Sequence, residues 1–136
     1  MNIDAVNGFI GSDWVYKEND CWSVFRNASK AVFGVEIHEL DIPETSSPAE
    51  NSNLFESNSH NPEWLYTESP TPGCAVLFKN IRGHPVHIGL YIIDGNVLHC
   101  EGGPKRPGRT SYDSLNELKK VYKRIEFYEY LPNNRS

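Results

Sequence analysis

Between Ala31 and Phe78 the chain has neither lysine nor arginine, against eight acidic residues. The full 136 residues carry a net charge of −5. That balance argues against a general nucleic-acid binder, which neutralises phosphates with excess positive charge. Long apolar runs are missing too: nothing approaches the roughly 20 residues of a membrane span, so no membrane insertion is expected. The opening "MNIDAVNGFIGSDW" has no basic n-region and no apolar h-region, so no signal peptide is expected; work outside the cytoplasm would need another route. Cysteine is scarce. Cys21, Cys74 and Cys100 are an odd number, which leaves at least one thiol unpaired in a monomer. No Cys-x-x-Cys occurs, which argues against zinc-ribbon and thioredoxin chemistry.

Positive charge gathers later, with ten bases and six acids from Lys79 to Ser136. This half either faces an anionic substrate or is a solvated surface. The length suits one domain with one modest core. We read residues 1–136 as a single domain with an excursion at about 43–73, rich in Ser, Asn, Glu and Pro and anchored by Leu54, Phe55, Trp64, Leu65 and Tyr66. One helical turn is expected around 49–56.

Ile3, Val6, Phe9 and Ile10 predict a helix over 2–10, stopped by Gly11. A second helix is expected from Cys21 to Phe33, capped by Asp20 or Asn19 and ended by Gly34. Its apolar stripe is Cys21, Phe25, Ala28 and Val32, widened by Trp22 and Phe33. Strands are expected at 75–79, 86–93 and 96–100, a helix at 112–120, and a last strand near 122–130. Helices first and a small antiparallel sheet after them make the fold class α+β.

A cysteine in the first turn of a helix meets free N–H groups and a partial positive charge, both of which favour the thiolate. Cys21 is therefore the candidate nucleophile, and it needs a base oriented by a third group. Among His38, His60, His84, His87 and His99, only His87 and His99 lie on consecutive strands joined by "IIDG". An Asp94-Gly95 two-residue turn would send the two rings to opposite faces. A three-residue loop, Ile93-Asp94-Gly95, with Gly95 left-handed, sets Ile92 opposite Asn96 and His99 opposite Gly89. Both rings then share a face, with Cβ atoms roughly 7 Å apart. Gly89 leaves room beside His99, and Ile88, Leu90, Ile92 and Leu98 fill the other face. This register sorts all of these residues at once. Cys21 is then the nucleophile, His87 the base, paired with it as thiolate and imidazolium, and His99 the residue that fixes the tautomer of His87. The Cys21 N–H and a neighbouring donor would hold the oxyanion.

"NDCWSVFRNASKAVFGVEI", "PTPGCAVLF" and "HPVHIGLYIIDGNVLHC" resemble the Cys segment, the Pro-Gly-Asp-Val strand and the His-x-Gly-x-Tyr hairpin of the NlpC/p-sixty superfamily of papain-like cysteine peptidases. The branch most similar to this chain is the tail-tip assembly peptidases of lambda-like phages, which share Trp after the nucleophile, a segment like "NLFESN" and an aromatic final strand. The resemblance implies a papain-like fold and hydrolysis of bacterial stem peptides, usually between γ-D-glutamate and a diamino acid. By position it implies Cys21, His87 and His99 as the catalytic set. Tyr16 matches a family tyrosine ahead of the nucleophile, although the glycines between them are missing. It further implies synthesis in the bacterial cytoplasm and a place beside other phage tail-tip proteins, acting at the periplasm and cell wall, where a virion replaces the signal peptide. The alternatives are a structural tail-assembly protein with a vestigial site, and an amidase or acyltransferase on the same scaffold. Cys74 stands where the family has Asp, which should affect the strand start more than the chemistry. Ser23 replaces a smaller residue on the helix.

Other residues carry weaker signals. Lys105, Arg106 and Arg109 sit on a Gly/Pro loop after His99, where an Arg fork suits the carboxylates of a stem peptide. Arg109 is the candidate substrate contact; a surface loop is the competing reading. Zinc ligation by His84-x-x-His87 and His99-Cys100 lacks a completed tetrahedral set, so no metal and no cofactor are expected. Cys100 and Trp22 read as core residues, and Trp14 and Trp64 could line a groove.

Overall fold

The computed structural model describes residues 1–37, 64–83, 85–102 and 108–131. The expected turn at 49–56, and His38, His60, His84, Lys105 and Arg106, lie outside them.

Helix α1 spans Cys21–Phe33, as its stripe and caps predict. Asp20 caps it, with its side chain accepting from Ser23 N–H, and Gly34 closes it in the left-handed conformation at φ 71°. Val24, Phe25, Ala28 and Val32 are all buried. The strands are β1 (Trp64–Thr67), β2 (Ala75–Lys79), β3 (Pro85–Tyr91), β4 (Asn96–Cys100), β5 (Thr110–Ser114) and β6 (Arg124–Tyr130), with helix α2 (Leu115–Val121) before the last. They form one sheet in the order β1-β6-β2-β3-β4-β5, and every neighbouring pair is antiparallel. The fold class is α+β. No described helix is long and apolar enough to cross a membrane.

Successive residues of a strand point to opposite faces, and the sheet carries two cores. Ala75, Leu77, Ile88, Leu90, Ile92, Leu98 and Cys100 pack with α1 and Trp64. Cys74, Val76, Phe78, Tyr91 and Val97 pack with Leu115 and Leu118 of α2. Trp22 and Cys100 are core residues, as expected, and Trp64 is core rather than groove. Cys74 is buried at the start of β2, where its thiol is pushed up to about 11, chiefly by burial.

Three expectations are corrected. The N-terminal segment is a 3-10 helix, Ile3–Gly8, and not an α-helix over 2–10; it buries only Val6, while Ile3 and Ile10 stay exposed. Residues 110–114, partly assigned to a helix, are an edge strand. Ser114 then caps α2 by accepting from Glu117 N–H. The end of the 43–73 excursion contains β1, which pairs Trp64 with Tyr130.

Candidate active site

The β3–β4 hairpin has the register in which Gly89 faces His99 and Leu90 faces Leu98. Its turn is tighter than expected: both Asp94 (φ 56°) and Gly95 (φ 79°) are left-handed. Asn96 N–H donates to Ile93 O, and Ile92 N–H donates to Asn96 O. Ile93 is thus the extra residue, and that keeps both histidines on one face. A Cβ on Gly89 would lie 2.7 Å from Val97 Cγ1 and 3.1 Å from His99 Cβ, so the room beside His99 is real.

His87 and His99 are buried and bonded to each other, with Nε2 of His87 2.9 Å from Nδ1 of His99. Phe78 stacks on the His87 ring at 5.1 Å, and Tyr122 lies nearly parallel to it at 6.0 Å. Two carboxylates, one of them held by a hydroxyl, complete the cluster. Asp113 of β5 places Oδ2 2.8 Å from His99 Nε2, and Ser111 Oγ donates to the same oxygen at 2.7 Å. Glu101 Oε1 accepts from Tyr122 O–H at 2.7 Å and lies 3.6 Å from His99 Nδ1. Asp113 was missed in the sequence because 112–120 was read as helix, and Ser111 because it fell just ahead of that helix with no strand assigned to it. The Ser114-x-x-Glu117 cap was the signal that would have moved the helix start past them.

Cys21 arrives from the other side of the sheet, in contact with the α1 core. Along β3, Tyr91 N–H points to β2 and Ile92 N–H to β4, so Ile88 N–H points toward β4 as well. The β3–β4 ladder begins only at Gly89, which leaves the Ile88 N–H near enough to the Cys21 sulfur to favour its charged form. The sulfur therefore sits one peptide from His87. No hydrogen bond joins Cys21 to His87 among the described residues.

The surroundings of both groups work against the expected thiolate–imidazolium pair. Although part of its surface is exposed, burial pushes the Cys21 thiol up to about 12, and the Asp20 charge adds to this. The Ile88 and Trp22 N–H groups oppose it without prevailing. Burial and then His99 hold His87 well below the usual imidazole value, so it is neutral. Burial pushes the Asp113 carboxyl up, but bonds from Ser111 and His99 outweigh it and leave the group lowered and ionised.

The loop ahead of Cys21 is stitched to the start of β5. Gly11 N–H donates to Thr110 O, and Trp14 N–H donates to Gly108 O. Asp20 ties it to the helix, taking Lys17 N–H at 2.9 Å and Ser23 N–H at 2.8 Å on its two oxygens. Ser23 Oγ adds a bond to Lys17 O. Trp14 fills the space over Gly102, where a Cβ would come within 2.7 Å of its ring. Tyr16 is half-buried in this loop, with Lys17 Nζ 5.6 Å from its ring centre; no bond or ring contact joins it to the imidazoles among the described residues. Arg109 is brought closer. It lines a cleft of about 610 Å³ with His99, Glu101, Ser111 and Asp113, while its own side chain is exposed and 3.4 Å from Asp13.

Ring nitrogens of His87 and His99 and a Glu101 oxygen lie within 4.8 Å of one another, a spacing that could hold a metal. The two nitrogens already face each other and the carboxylate takes the Tyr122 hydroxyl, so an ion would have to break both bonds. Cys100 lies on the opposite face, its Sγ–H donating to Asn19 O, which removes it from a set with His99.

No family model matches the chain, and no curated protein matches it. Among solved structures, the chain is similar to the NlpC/p60 domain of the peptidoglycan hydrolase SagA, at 15% identity and a TM-score of 0.51, over 93% of this chain and 92% of that one. What the chain shares with that domain is its fold, an antiparallel sheet with a helix packed across it.

Proposed function

We propose that this chain is a cysteine endopeptidase that hydrolyses peptidoglycan stem peptides, at the amide between γ-D-glutamate and a diamino acid. The reading rests most on one observation. The buried His87–His99 pair lies one peptide from a cysteine at a helix N-terminus. Its fold is that of a peptidoglycan hydrolase domain.

In this reading Cys21 Sγ attacks the scissile carbonyl as its proton passes to His87 Nδ1, the ring nitrogen not engaged by His99. Both groups rest neutral, so His87 acts as a general base during attack. The tetrahedral oxyanion needs N–H donors, and the Cys21 amide is the first candidate. Collapse breaks the C–N bond, the leaving amine takes the proton from His87, and water then hydrolyses the thioester. Tyr16 and Arg109 are the proposed substrate contacts, and the cleft beside Arg109 is the proposed approach. The resemblance carried by "NDCW", "NLFESN" and the aromatic last strand supports a phage tail-tip protein that opens the wall locally beside other tail components.

A second reading has its own support. The raised Cys21 thiol and its missing bond to His87 fit a structural tail protein with a vestigial site. Mass spectrometry of wall fragments incubated with wild type and with Cys21→Ala separates the two. New termini between γ-D-glutamate and the diamino acid, made by wild type alone, are expected. Identical products from both proteins would overturn the peptidase reading, and a transferred acyl group would mark an acyltransferase.

A further inference from the structure

Beyond the three residues of the proposed set, the cluster has a fourth member with directional consequences. Asp113 Oδ2 is 2.8 Å from His99 Nε2, and His99 Nδ1 is 2.9 Å from His87 Nε2. We propose that Asp113 is a positioning residue that fixes which nitrogen carries the proton on both imidazoles, leaving His87 Nδ1 as the bare, basic end of the relay.

An ionised carboxylate only accepts hydrogen bonds. His99 must therefore donate from Nε2. A singly protonated His99 then has only a lone pair at Nδ1, so His87 must donate from Nε2. The neutral His87 is left with its lone pair on Nδ1, the nitrogen that can receive a proton from a thiol. Ser111 holds the carboxylate in place by donating to the same oxygen, and its hydroxyl is 3.3 Å from His99 Nε2. Glu101 faces His99 from the other side and works against this order, since a hydrogen on His99 Nδ1 would favour it. It is farther, at 3.6 Å, and is held by the Tyr122 hydroxyl. Without Asp113 the pair can reverse, with His99 Nδ1 donating to His87 Nε2. The hydrogen of His87 then sits on Nδ1, where it blocks the base. Asp113 acts through two rings and touches no reacting atom.

The inference deepens the peptidase reading and rests on it for its catalytic meaning, but the proton positions can be tested without activity. Long-range 1H–15N correlation spectra of the full chain, labelled at histidine, should show hydrogen on Nε2 of both His87 and His99 at neutral pH. Hydrogen on Nδ1 of His87 in wild type would overturn the proposal, whatever the variants do. Asp113→Ala should move that hydrogen to Nδ1 and lower kcat on stem peptides about tenfold to a hundredfold with KM little changed. Asp113→Asn, whose amide oxygen can accept in the same place, should restore the wild-type tautomer and most of the rate. Active wild type with an Asp113→Ala variant unchanged in both spectrum and kcat would sink the inference and spare the peptidase reading. Inactive wild type with the expected tautomers would do the reverse. If Asp113→Ala fails to fold, the wild-type spectrum decides.

Discussion

Ile88, Leu90 and Leu98 face α1, while His87, Gly89 and His99, one residue out of step on the same two strands, face α2. The first set is a plain apolar layer, closed by Phe25 and Val24. The second threads a line of polar bonds between aromatic rings, from His87 through His99 to Asp113. Cys21 belongs to the first side and its candidate base to the second, and they approach each other only where β3 and β4 part. The apolar layer fixes the helix against the sheet, and the polar layer sets the protonation of its rings. Each can be disturbed with little change to the other.

The largest separation of the two should come from emptying one and overfilling the other. Phe25→Ala leaves a cavity under α1 and should cost about 3–5 kcal/mol of stability. Gly89→Ala pushes a methyl into Val97 and His99 and should cost about 1–3 kcal/mol, together with most of the wall-cleaving activity. Chemical denaturation alongside a cleavage assay checks both. Equal loss of activity per kcal/mol in the two variants would erase the distinction.

A smaller effect comes from pH. The folded protein holds His87 below its ordinary value of 6.5, so between the two values the unfolded chain binds more protons. Stability contributed by neutral His87 is present above about 6.5 and is lost as pH falls below it, at up to about 1.4 kcal/mol per pH unit. Melting temperatures from pH 7 to pH 5 should fall in wild type and fall less in His87→Asn.

The smallest effect concerns Cys21. A thiol pushed up to about 12 should be alkylated slowly at pH 7, and its rate should climb about tenfold per pH unit without a plateau before pH 11. Asp20→Asn keeps a good helix cap but removes the nearby charge, and should raise that rate several-fold. A plateau from pH 6 upward would mean a preformed ion pair.

Much of this was legible in the residues. The ends of α1 could be read because Asp20 and Gly34 each have a specific backbone job there. The hairpin register could be read because, of a two- and a three-residue loop, only the latter puts the leucines and the histidines on separate faces. The polar edge strand "TSYDS" could not be read, since it buries only Thr110 and has no apolar alternation to announce it. Tyr112, Leu115 and Leu118 mimic a helical stripe across its end. With that strand went Asp113. The raised thiol was also invisible, because burial of the sulfur, and after it the charge of the capping Asp20, oppose the helix end, and only packing shows that they win.

The left-handed pair Asp94-Gly95 and the extra Ile93 set the parity of the hairpin. Deleting one residue there, or inserting one, would exchange the sides of every side chain beyond it on one strand. A histidine would then enter the oily layer and a leucine would take its seat among the rings. Length changes of two residues keep the parity. Variation in this turn should therefore be tolerated in even steps and rejected in odd ones.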